Sequence, residues 1–327
     1  TAIGSLSGAQ LGGFDVTSLN SLNDTKFAAI TSTQVKGLTA TQIKGLASGG
    51  ALDRLADTQI QGLSALQVGA FSTTGFSQLS QTQVAALNAT QIKGIAPSQL
   101  QSLTVTDIGE FSTTQIRALT ADQMKQLSAT NISALADTQV AALTATQLGA
   151  LSATALSTLD ATQVGALNAT QVARLSAAQV QSLSTTQIAS LSTTDFAELS
   201  ATQVDGLTPS QLGALSTTNI GGLSTTAIGD LTAAQFAGLS PTQLAVLPES
   251  VFRGRLSTLS ATQMAGLSGT FIANLTSTEV ANLNPTQLGA LSPTAFAALG
   301  TSRLTSLTTS QITGLSTTQV ASLDASA

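Results

Sequence analysis

Large apolar residues recur at every eighth position of this chain, as in Leu151, Leu159, Leu167, Leu175 and Leu183. A second apolar residue follows each of them five places later, as in Leu156, Val164, Val172, Val180 and Ile188. The octad reads Leu-[Ser/Thr]-x-Thr-Gln-[Val/Ile/Leu]-x-[Ala/Gly/Ser] and runs from Leu6, Phe14 and Leu22 to Leu307, Leu315 and Leu323, on the order of forty copies. A coiled coil needs a period of seven or eleven. In one continuous helix, eight residues at about 100° each would rotate the apolar stripe by roughly 80° per octad, so no face could be buried. Each octad therefore predicts its own short helix. Ser or Thr at position two is the N-cap, Gln at position five closes a capping box, and the residues at positions one and six form the hydrophobic staple.

Proline placement agrees with this register. Pro97, Pro209, Pro241, Pro285 and Pro293 all occupy position three, the first helical residue, where the missing N–H costs nothing. Gly37, Gly45, Gly94, Gly206 and Gly314 at position eight predict a tight helix exit or a close backbone approach. Lys36, Lys44, Lys93, Arg117 and Lys125 share position seven, which should face water. The predicted fold is an all-α solenoid of short capped helices, one per octad. The alternative is a β-solenoid, in which positions one and six would face opposite sides of a strand and proline would have to sit in a turn each time. Helices this short are unstable alone, so stacking must hold them. Two or three octads per coil fit equally well, because the octads look alike.

The chain reads as a single continuous array over residues 1–327. Its phase slips twice, near 47–54 (between Leu46 and Leu55) and near 248–258 (between Leu247 and Leu259), and each slip predicts a kink, bulge or looped-out segment. Ala47, Ala56, Ala96 and Ala136 replace the position-two cap.

Composition narrows the function. The 327 residues include no His, Cys, Trp or Tyr and only 8% charged side chains. The commonest general base, the thiolate nucleophile and the usual zinc ligands are therefore missing. The expectation is no enzyme, no catalytic residue, no cofactor and no metal. A net charge of −5 opposes nucleic-acid binding, and no apolar run is long enough for a membrane span. The opening Thr1-Ala2-Ile3, without an initiator Met or signal peptide, suggests a processed protein or an excised segment.

Several residues invite functional readings that a structural role answers. Asp107 with Glu110, and Asp195 with Glu198, place two carboxylates one turn apart, either as a cation site or as an exposed acidic face. Asn23, Asn88, Asn131, Asn168 and Asn274 form Asn-x-Ser/Thr sequons that arise when Asn serves as a cap. Thr39-Ala40-Thr41 and Thr144-Ala145-Thr146 suggest an ice-binding surface, although capping already accounts for them. Phe14, Phe71, Phe111, Phe196, Phe236 and Phe296 fill the two apolar positions. Arg253 and Arg255, in the second phase slip, mark either a contact site or a solvated loop.

The octads resemble the long, weakly charged repeat arrays of large secreted or surface proteins of Gram-negative bacteria. That resemblance implies export to the cell surface or beyond, and a role as a spacer, an adhesin stalk, or a filament or sheath subunit. The alternative is a binding module that uses one solenoid face for a ligand or ice. Both ends of the sequence break off in ordinary octads, which predicts either end-to-end self-association or continuation into a longer repeat protein.

Overall fold

A computed structural model describes residues 2–48, 52 and 54–323; Gly49, Gly50, Ala51 and Asp53 of the first phase slip lie outside the described residues. The chain is an all-α solenoid. Among the described residues thirty-eight α-helices of four to nine residues and two short 3-10 segments follow one another, and none lies in a strand. The β-solenoid alternative therefore falls. Contacts divide the chain into two compact units, Thr1–Leu175 and Ser176–Ala327, each built in the same way.

Most helices start as the octad predicts; Glu249–Phe252 and Thr301–Leu304 follow Pro248 and Gly300 and have no side-chain cap. At Ser184 the hydroxyl accepts from the Gln187 N–H at 3.2 Å while the Gln187 Oε1 accepts from the Ser184 N–H at 2.6 Å. The chain enters the helix from an extended Ser184 (φ −68°, ψ 163°). The five position-three prolines all lie in the first turn of their helices. Ala56, Ala96 and Ala136 have no side-chain acceptor, yet Gln59, Gln99 and Gln139 still accept from their N–H groups at 2.8, 2.6 and 2.7 Å. Half of the box survives there, which is why the array tolerates these omissions. Ala47 is different: it lies inside the longest helix, Ala40–Ser48, and caps nothing. Ser184→Ala should accordingly cost about 1 kcal/mol, the worth of the lost acceptor alone. A urea titration showing no loss would separate the cap from stability.

Inside each unit, helices pack mainly on the helix three places further along: Ala89–Lys93 on Thr113–Ala118 and then Asp137–Ala142, Pro209–Gly213 on Ala233–Ala237. One coil is thus three octads, or 24 residues. Position six points to the centre, with Ile60, Val68, Ile92, Leu100, Ile116 and Leu212 fully buried, and position one closes the corners at a few per cent exposure. The five position-seven cations all face solvent.

Position eight serves both expected roles: Gly94, Gly206 and Gly314 end their helices, in right-handed conformation, and the same position allows close approach. Only Gly300 among the described residues has positive φ (75°). A Cβ on Gly94 would lie 2.3 Å from the Ala65 carbonyl oxygen of the preceding coil, and one on Gly37 would lie 2.1 Å from that of Gly8.

Candidate functional site: the glutamine ladder

The position-five glutamine does more than close its own helix start. Its carboxamide has one acceptor and one NH2 group, and the capping box uses only the acceptor. In Gln91 the Nε2 group donates backward to the carbonyls of Ile60 (2.6 Å) and Leu63 (2.8 Å), 31 and 28 residues earlier. Gln115 repeats this with Val84 and Leu87, Gln147 with Ile116 and Leu119, Gln243 with Leu212 and Leu215, and Gln319 with Leu288 and Leu291. These side chains are buried; Gln91 is 1% exposed. Each is a rung that ties a helix start to the coil before it, and it satisfies corner carbonyls that burial would otherwise leave unpaired.

Both phase slips retain the rung in altered chemistry. Where the first slip displaces Gln, the Arg54 guanidinium donates to the Leu22 carbonyl, pairs with Asp24 at 2.8 Å and lies 4.6 Å from the Phe27 ring centre. In the second slip Arg255 donates to the carbonyls of Leu231 and Gly229 and lies 5.4 Å from the Phe236 ring centre. The guanidinium reaches carbonyls at altered separations, 32 residues for Arg54 and 24 and 26 for Arg255 against 28 and 31 in the regular rungs, and lies against a core ring as it does so.

The segment around Arg253 and Arg255 is therefore not looped out, and its two arginines are part-buried against the array instead of lying in a solvated loop. Residues Glu249–Phe252 form a helix and Arg253–Thr258 a 3-10 turn, and Leu256 takes a buried corner. Arg253 reaches forward to Glu279 at 3.0 Å, to the Asn274 carbonyl at 3.1 Å and over the Phe271 ring. Glu279 holds the position-five place. Partial burial pushes its carboxyl up, but the Thr276 N–H and hydroxyl, together with Arg253, outweigh this and hold it below the usual range.

The acidic pairs turn out to be capping residues. Asp107 and Asp195 stand at position five and accept from the N–H groups of Thr104 (2.7 Å) and Ser192 (2.8 Å). Glu110 and Glu198 end the same helices. Burial, and then the neighbouring Asp107 charge, push the Glu110 carboxyl up. Among the described residues no three His, Cys, Asp or Glu side chains group together.

The sequons divide by role. Asn23, Asn88 and Asn168 are N-caps as expected, whereas Asn131 is a buried rung and Asn274 ends a helix. The asparagine at position five was legible as a glutamine analogue one methylene shorter. In the Thr-x-Thr pairs, Thr39 and Thr144 cap and Thr41 and Thr146 are exposed. Phe71, Phe111, Phe196, Phe236 and Phe296 are buried in the core, while Phe14 in the first coil is only half-buried.

Two apolar clefts lie at outer coils. One, of about 540 Å³, is lined by Ile3, Leu6, Phe14 and Leu22; the other, of about 280 Å³, by Phe296, Leu307, Ile312, Leu315 and Val320. Ile312 and Val320 hold position six, which is buried in the inner coils, yet each is 54% exposed. No helix among the described residues is long and apolar enough to cross a membrane.

No family model matches the chain. Nor does any curated protein match it.

Proposed function

We propose that this chain is a non-enzymatic structural scaffold working outside the cell or on its surface, as a spacer or adhesin stalk or as a self-assembling filament or sheath subunit. The observation that carries this reading is the repeated rung. Each coil is tied to its predecessor by the same two backward bonds, so length is added by iteration without a new kind of interface. The resemblance to surface arrays of Gram-negative bacteria points the same way. The polar side chains at positions two and five are largely engaged in caps and rungs.

The exposed Ile312 and Val320 and the cleft beside Leu6 and Phe14 support association end to end, through a heterologous contact that builds open chains. Further octads of a longer protein would cover the same faces. Light scattering and electron microscopy over a concentration series test this. Mass should grow with concentration, and an Ile312→Asp, Val320→Asp double variant should remain monomeric. A strictly monomeric wild-type chain at high concentration overturns self-assembly and leaves the spacer within a longer array.

A second reading, a binding face for a ligand or ice, draws on Thr33, Thr58, Thr82, Thr106, Thr130 and Thr154. These hold position four in successive coils along one side of the first unit, and all are exposed. Thermal hysteresis of the freezing point would support it; its absence would dismiss the ice surface.

A further inference from the structure

The rungs of the first unit form three seams, one for each side of the coil. On one of them Gln67, Gln91, Gln115 and Gln139 each donate to the coil before. On another, Gln99, Gln123, Gln147 and Gln171 do the same. The third begins with Gln34, Gln59 and Gln83 but continues with Asp107, Asn131 and Ala155. Asn131 shows that the shorter side chain suffices, since its Nδ2 group donates to the Leu103 carbonyl at 2.9 Å. In the second unit Asn219 does the same with Leu191 at 3.2 Å.

Asp107 has the same reach and shape as asparagine, but an ionised carboxylate is acceptor only. It can close its own helix start and cannot donate backward. The Leu79 carbonyl, which a donor at 107 would meet, receives no hydrogen bond among the described residues. The next rung on this seam is the single short one of Asn131, and Ala155 supplies none. The helix that carries Asp107 is also thinly packed. The helix Val105–Gly109 meets Ala129–Ser133 of the next coil only sparsely. A Cβ on Gly109 would find nothing within 4 Å, whereas on the intact seams one on Gly69 would lie 2.6 Å from the Gly94 carbonyl and one on Gly149 3.1 Å from that of Arg174.

We propose that the helix Val105–Gly109 is a hinge built into the first unit, where one seam is open at Asp107 while the other two hold, so that coils part locally on that side. Opening costs the staple contacts of Ile108 and Phe111 but no backward hydrogen bond from residue 107, so this helix should open more readily than Thr113–Ala118 on the neighbouring seam. The side chain that decides it is Asp107: exchanging one carboxylate oxygen for NH2 supplies the missing donor with no change of shape.

Hydrogen exchange read by mass spectrometry on the full chain tests the hinge. Amides of residues 106–111 should exchange roughly tenfold faster than those of 114–119 on the neighbouring intact seam. Asp107→Asn should slow them by roughly three- to tenfold, the worth of one added hydrogen bond. Gln115→Asp should transfer the fast exchange to 114–119. Equal protection of the two segments in the wild type overturns the hinge. Unchanged exchange in both variants would show that the donor at position five does not control opening.

Discussion

Replacing Gln91 by Leu is expected to cost about 3 kcal/mol, although the volume changes little and an apolar residue enters a buried site. Three hydrogen bonds disappear together: the one accepted from the Asn88 N–H and the two donated to Ile60 and Leu63. The partners left behind are backbone groups in a part of the coil that is almost closed to water, and each unpaired buried group costs about 1–3 kcal/mol. Gln91→Glu should be worse at neutral pH. It keeps the acceptor but places a negative charge against two carbonyl oxygens, a buried charge with no partner. The difference between the two variants should narrow as the pH falls towards about 4, because burial without a partner raises the carboxyl's pKa and a protonated Glu regains a donor. Urea titrations at pH 7 and pH 4 measure both effects. A Gln91→Leu chain as stable as the parent would mean that the coils are held by apolar contacts alone.

Phe236→Ala should destabilise the second unit by about 3–5 kcal/mol, the usual result of emptying a large aromatic site that cannot collapse. The ring is fully buried, and the Arg255 guanidinium lies over it while bonding to Leu231 and Gly229. The loss should therefore reach beyond the cavity and loosen the turn Arg253–Thr258, since Arg255 would lose the surface that orients it. Thermal unfolding followed by circular dichroism gives the first part, and exchange at residues 253–258 gives the second. Phe14→Ala offers the contrast, because that ring is half-buried in an outer coil and should cost well under half as much. Equal losses at the two sites would contradict this division of the core.

The features legible in the sequence are those completed within one octad. Ser184, Gln187 and Ile188 contain their cap, box and staple inside six residues, and Pro209 fixes the register without reference to any other coil. What escaped were the relations between coils. Three octads per coil leaves no 24-residue signature when all three sides have the same composition, and the carboxamide of Gln91 looks fully used once the capping box is drawn. Arg54 and Arg255 were equally opaque, because Arg54 stands outside the octad register, Arg255 holds the position of Gln only when counted back from Leu259, and each resembles a surface cation until the carbonyls of Leu22 and Leu231 are placed beside it. Asp107 read as half of an acidic pair, and its missing donor has meaning only against Leu79 in the coil below.

The spacing of 28 and 31 residues between a rung and its carbonyls has a consequence for how such genes can change length. Gain or loss of one whole octad shifts every later side by one place around the coil, but each glutamine still finds a corner carbonyl at the same separation. Recombination between copies of the repeat is therefore structurally silent for steps of eight residues. Steps of any other size break the register, and at each of the two slips present here, before Leu55 and before Leu259, an arginine donates to a carbonyl of the preceding coil. Arrays built in this way should vary among strains by multiples of eight, with odd-sized insertions marked by a nearby guanidinium.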